Sequence, residues 1–148
     1  MKDRHPDARD LQPGEPEPEA LGDCFEVAFR YLMEARNPEA RLVHAVCLIG
    51  TGPRIDLPYG HAWVEVPLEL AGLEDIIAEK FGAEREVLLE SLPRVCIDLS
   101  NGRDIRVPHP FYYLGGRPTQ IHRYTFLEAA NLAIDTGIYG PWELECER

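Results

Sequence analysis

Apolar positions change their spacing along the chain, and each change marks an element. From Asp23 onward, Phe25, Ala28, Phe29, Leu32 and Met33 recur at the three- and four-residue intervals of one helical stripe. Asp23 is a favourable N-cap with Gly22 before it, and Asn37-Pro38 ends the helix, because a residue ahead of proline avoids helical backbone. Cys24 then falls in the first turn. Leu42 to Ile49 is an unbroken apolar run rich in β-branched residues and closed by Gly50-Thr51-Gly52-Pro53, which predicts a central strand. After a loop through Gly60, the string His61-Ala62-Trp63-Val64-Glu65-Val66 alternates. Ala62, Val64 and Val66 therefore share one face of a second strand, and His61, Trp63 and Glu65 share the other.

Helical spacing returns at Leu73, Ile76, Ile77 and Phe81 within Leu70 to Leu92, a stretch divided by Gly82. Arg94 to Leu99 predicts a third strand, with Val95, Ile97 and Leu99 opposite Cys96 and Asp98, ending at the turn signal Ser100-Asn101-Gly102. Asp104 to Val107 and Ile121 to Phe126 add two short strands, and Thr125 with Glu128 forms the capping-box pattern of a last helix through Ile134. The order of helix, strands and helix predicts an α+β fold in a single domain over 22–148. Residues 1–21 differ: they hold four of the 13 prolines, alternate Pro with Glu and have little to bury, which predicts a flexible arm.

Charge narrows the partners. Asp and Glu total 26 against 15 Lys and Arg, a net charge of -11 with no basic stripe, so nucleic acid and anionic membranes are disfavoured. No apolar run approaches the ~20 residues that span a bilayer. The segment MKDRHPDARD lacks the apolar stretch of a secretory signal, which makes a cytoplasmic protein the expectation. Tetrahedral zinc sites show ligands paired at short spacing, and Cys24, Cys47, Cys96 and Cys146 form no CxxC pair, while His5, His109 and His122 lack metal spacing. Gly50-Thr51-Gly52-Pro53 opens no helix and lacks the Lys-Ser/Thr of a phosphate loop. No metal and no cofactor is expected.

Chemistry concentrates at three positions. A thiol acts as a nucleophile only when ionised, and the unpaired N–H groups and dipole of a helix start favour that charge. Cys24 is the cysteine at such a place, whereas Cys47 and Cys96 lie in apolar runs, the usual setting of an inert thiol. The bland reading of Cys24 is a packed first-turn residue. A cysteine nucleophile needs a base, and the base needs an acceptor on its second nitrogen. His61, opening a strand behind a glycine, is the candidate base, with a histidine satisfied at a strand edge as its alternative. Asp98, inside the string Val-Cys-Ile-Asp-Leu, needs a partner because an unpaired buried carboxylate is costly. An imidazolium would serve, as would the Ser100-Asn101-Gly102 turn. Glu65 is the weaker orienter and reads as a solvated edge residue, and His44 as a satisfied core histidine.

Gly22-Asp23-Cys24-Phe25, Gly60-His61-Ala62-Trp63-Val64-Glu65-Val66 and Cys96-Ile97-Asp98-Leu99-Ser100 together resemble the core of transglutaminase-like cysteine enzymes, a group within the papain-like fold. The resemblance implies a nucleophile helix packed on an antiparallel sheet, with Cys24 as nucleophile, His61 as general base and acid, and Asp98 orienting His61. It implies acyl transfer from an amide-type substrate, a protein or peptide, through a thioester. His61 and Asp98 are 37 residues apart, longer than the family's hairpin, so Leu70 to Leu92 is read as an insertion. No glutamine stands shortly before Cys24, so the second oxyanion donor is unassigned. The aromatic turns His109 to Tyr113 and Tyr139 to Trp142 offer walls for a substrate or lids over the core. Tyr59, Trp63, Tyr113 and Trp142 are the candidate substrate-binding residues. A non-catalytic protein-binding module on the same scaffold is the alternative.

Overall fold

In the computed structural model, which describes residues 23–49, 53, 55–82 and 84–145, the first apolar stripe forms α1 (Cys24–Ala35) and buries Cys24, Phe25, Ala28 and Leu32. The proline-rich segment and Cys146 lie outside the described residues. Five strands follow: β1 (Arg41–Leu48), β2 (Pro58–Pro67), β3 (Arg94–Asp98), β4 (Ile105–Pro108) and β5 (Thr119–Tyr124). They pair as one antiparallel sheet in the order β4-β3-β2-β1-β5. Three short helices, α2 (Leu68–Ala71), α3 (Glu74–Phe81) and α4 (Arg85–Ser91), stand between β2 and β3. Helix α5 (His109–Gly116) follows β4, and α6 (Phe126–Thr136) follows β5. The fold is therefore α+β, with six helices around a five-stranded sheet among the described residues. Among the described residues no helix is long and apolar enough to cross a membrane.

The period-two alternation of the strands builds a core on each face. Leu42, Ala62, Val64, Val66, Val95 and Ile97 meet α1 and Ala129 of α6 on one side. Val43, Ala45, Cys47, Trp63 and Cys96 meet Tyr112 and Tyr113 of α5 on the other. The long excursion between β2 and β3 leaves the sheet undisturbed because it closes on itself. Pro67 pairs with Arg94, and the Leu68 N–H donates to the Pro93 carbonyl at 2.9 Å. Gly82 separates α3 from α4 in a left-handed cap at φ 65.

Several sequence expectations shift. β2 begins at Pro58 rather than after Gly60, because pairing with β1 continues through Leu48↔Pro58. Residues 109–116, read as aromatic turns, are helical: Pro110 sits in the first turn, where its missing N–H costs nothing. Thr125 and Glu128 form the capping box at the start of α6. Asp23 occupies the N-cap of α1, yet its side chain caps nothing there. Instead its Oδ2 accepts from the Asn101 N–H at 3.3 Å, tying the start of α1 to the turn that follows β3.

His44 also departs from expectation. It is 0% exposed, and neither ring nitrogen has a hydrogen-bond partner among the described residues. Phe25, Tyr124 and Trp142 surround the ring at centroid distances of 4.8, 5.0 and 4.9 Å. Gly140 closes this cage: at φ +122, a Cβ there would stand 2.6 Å from His44 Cε1 and 3.3 Å from Phe25 Cδ1. Gly140→Ala is therefore expected to lose roughly 3 kcal/mol of unfolding free energy in a denaturant titration, from overpacking plus a strained backbone. Gly137→Ala, at φ +77 with nothing within 4 Å, carries the backbone strain alone and should lose about a third of that.

Candidate active site

The site forms where the sheet stops pairing. β3 bonds to β2 only from Val64↔Ile97 to Pro67↔Arg94, so among the described residues the stretch of β2 from His61 back to Pro58 has no strand partner on that side. Extending the register sets Asp98 beside Trp63, with His61 as its diagonal neighbour on the same face, within reach of long side chains. The imidazole Nε2 lies 3.0 Å from Asp98 Oδ2. The start of α1 is held to the turn at Asn101, and Cys24 in its first turn is near enough to influence the charge of the His61 ring.

Asp98 takes both roles that the sequence left open. Its Oδ1 accepts from the Ser100 N–H at 3.0 Å and the Ser100 Oγ–H at 2.7 Å, which builds the turn. Its Oδ2 receives His61 and the Tyr112 hydroxyl, the latter at 2.6 Å. Burial pushes this carboxyl toward its neutral form, but the donors from His61, Tyr112 and Ser100 prevail and hold it well below the usual carboxylate range.

An ionised carboxylate only accepts, so the His61 proton facing it sits on Nε2. Nδ1 is thereby the nitrogen that gains and loses a proton. It is buried and has no hydrogen-bond partner among the described residues. Burial alone would depress the imidazole; the hydrogen bond to Asp98 and the neighbouring Cys24 sulfur overcome it and raise His61 to about 9. Burial, with the charges of Cys24 and Asp98, pushes the Cys47 thiol up to about 12, and burial with Glu65 raises Cys96 further. Those two thiols stay protonated at neutral pH. The Cys24 residue itself is 1% exposed and His61 7%, so a carbonyl from outside reaches the sulfur only when the local surface opens.

The four candidate substrate-binding residues separate. Tyr59 is half-buried with its ring 5.6 Å from that of His61, on the rim of the site. Trp63 is 0% exposed and donates its indole N–H to Glu65 at 3.1 Å, so it is a core residue with no surface to offer a substrate. Tyr113 packs on Trp63 and donates to Glu65. Trp142 sits in the His44 cage on the α1 face, opposite the face that carries His61 and Trp63. A groove of about 410 Å³ lined by Arg36, Asn37, Pro38, Thr125, Phe126 and Leu127 lies at the far end of α1 from Cys24.

Two residues gain weight that sequence reasoning did not give them. Tyr112 touches both His61 Nε2, at 2.9 Å, and Asp98. Glu65, read as a solvated edge, is 1% exposed. Besides Trp63 and Tyr113, it receives Arg123 Nε at 3.2 Å and pairs with Arg94 at 3.6 Å. Burial works against its charge, but these donors keep it ionised, its pKa below the ordinary glutamate value. Glu65→Ala strands the buried Trp63 and Tyr113 donors while the half-exposed arginines return to water, so we expect a loss of roughly 2–3 kcal/mol in urea unfolding. No protein-family model, curated protein or solved structure matches the chain.

Proposed function

We propose that the chain is a cysteine-dependent acyl-transfer enzyme of transglutaminase-like, papain-like type. Cys24 acts as nucleophile, His61 as general base and acid, and Asp98 as the group that orients His61. The observation that carries this reading is the imidazole fixed through Nε2 by Asp98, which leaves the unpartnered Nδ1 to exchange a proton with the Cys24 sulfur.

The chemistry follows from those positions. Transfer of the thiol proton to Nδ1 gives a thiolate and an imidazolium. The sulfur attacks the carbonyl carbon of an amide, and the carbonyl electrons move to oxygen, where the backbone N–H of Cys24 at the start of α1 donates to the oxyanion. Collapse expels the amine, which takes the proton from Nδ1, and leaves a thioester on Cys24. Water or a second amine, deprotonated at Nδ1, then attacks the thioester and frees the thiolate. The substrate is a protein or peptide carrying the amide.

The test is mass spectrometry of the chain incubated with a glutamine-containing peptide and, separately, with an activated thiol-reactive ester, in the presence and absence of a primary amine. Expected is an acyl adduct on Cys24 that the amine discharges and that Cys24→Ala abolishes. Absence of any adduct with both reagents contradicts the reading. A second reading, a non-catalytic protein-binding scaffold, is favoured by the 1% exposure of Cys24. It expects this thiol to be as inert in the folded chain as Cys47.

A further inference from the structure

Helix α5 places two tyrosines side by side, and each hydroxyl ends on a different buried carboxylate of the sheet. Tyr112 donates to Asp98 Oδ2 at 2.6 Å, and Tyr113 donates to Glu65. The two contacts differ in what stands behind them. Glu65 gathers Trp63, Arg94 and Arg123, none of which touches His61 through a hydrogen bond. Asp98 Oδ2 is shared with the imidazole itself, and the Tyr112 oxygen lies 2.9 Å from the same Nε2.

Proton placement fixes the sense of these bonds. Asp98 is ionised, so the Tyr112 hydrogen points to Oδ2 and the Tyr112 oxygen is left as an acceptor. The Nε2–H then divides between two acceptors, the carboxylate and the phenol oxygen, in a closed three-membered ring of polar contacts. The phenol keeps its proton throughout: burial first, then the adjacent Asp98 charge, raises its pKa far above the ordinary tyrosine value. The ring packs against Trp63 at 5.0 Å and lies nearly parallel to the imidazole, with a 23° interplanar angle, which removes the rotamer freedom that would otherwise blur the contact.

We propose that Tyr112 is a positioning residue of the site, whose hydroxyl fixes both the Asp98 carboxylate and the Nε2 edge of His61 so that Nδ1 is held toward Cys24. Helix α5 is thereby part of the site's framework, and Tyr113 one residue along is a fold anchor only. This inference deepens the acyl-transfer reading and rests on it for its consequence, while its geometry is read independently.

The test follows the proton on His61 Nε2 by NMR, together with the alkylation rate of Cys24 by iodoacetamide, in Tyr112→Phe and Tyr113→Phe of the full chain. In Tyr112→Phe the Nε2–H loses its second acceptor and bonds to Asp98 alone, so its resonance moves downfield. Alkylation slows by about tenfold or more as the imidazole loses its fixed aim. Tyr113→Phe lowers thermal stability and leaves both readouts where they were. Should Tyr112→Phe fail to fold, site-specific 3-fluorotyrosine at position 112, a stronger donor to Asp98, shifts the same resonance upfield. An unmoved resonance, or equal effects of the two phenylalanine variants on it, overturns the positioning role. A shifted resonance with a Cys24 as slow as Cys47 in the unsubstituted chain leaves Tyr112's hold on His61 standing and defeats the acyl-transfer reading instead.

Discussion

His61→Ala is expected to lower the rate of Cys24 acylation at pH 7 by about a hundred- to ten-thousandfold, the range that a positioned general base contributes. In the proposed reaction the imidazole takes the thiol proton: Nε2 is committed to Asp98, Nδ1 has no hydrogen-bond partner among the described residues, and Cys47 and Cys96 are pushed toward the thiol form. Asp98→Asn should lose activity as well, for a reason visible in its four donors. Ser100 gives two to Oδ1, and His61 and Tyr112 give theirs to Oδ2. An amide carries one oxygen and one NH2, so it must turn its donor either against the turn or against the imidazole. Stopped acylation kinetics on the two variants check this. Equal rates in His61→Ala and the unsubstituted chain would remove His61 from the reaction.

The second large effect lies in acid stability and belongs to His44. Its burial among Phe25, Tyr124 and Trp142 disfavours the charged ring, with the charge of His122 adding to this, and lowers its pKa to about 3. The unfolded chain binds this proton at its ordinary value near 6.5, so between pH 6.5 and 3 the unfolded state holds more protons than the folded one. Stability is complete above 6.5 and falls steadily as the pH drops toward 3, by on the order of 4 kcal/mol. Asp98 acts in a separate window: its folded pKa is depressed, so its contribution is present above the ordinary aspartate value and fades only at lower pH. His61 acts at the other end, its contribution present below 6.5 and lost as pH rises through about 9. His44→Leu should flatten the curve between pH 3 and 6.5 while sparing its alkaline limb. Urea unfolding at pH 4 and pH 7 measures it, and a variant as acid-sensitive as the parent would remove His44 from the account.

What the sequence made legible was local. Period-two alternation assigned every residue of 61–66 to its correct face, and the β-branched run at 42–49 found β1 within a residue. Cys24, His61 and Asp98 were nameable because each breaks its setting: a thiol at a helix start, an imidazole after a glycine, an acid inside an apolar strand. The misses share a cause, which is partnership across distant segments. Glu65 reads as an edge residue until Tyr113 from α5, Arg94 from β3 and Arg123 from β5 converge on it. Tyr112 was hidden because Pro110 and Gly115-Gly116 bracket its helix with turn signals, although proline in a first turn and glycine at a last one also fit a short helix. His44 looks satisfiable in sequence, and only the closure of the 139–142 segment over it shows that its ring nitrogens have no hydrogen-bond partner among the described residues.

The pH dependence of iodoacetamide labelling, followed cysteine by cysteine in the folded chain, tests the central pairing of Cys24 with His61 most directly. Cys24 is expected to react at pH 6 at least about tenfold faster than Cys47 or Cys96, since an unassisted thiol near 8.5 is under one per cent ionised there. This advantage is expected to disappear in His61→Ala. Equal and slow labelling of all three at pH 6, rising together only above pH 8, would contradict that pairing.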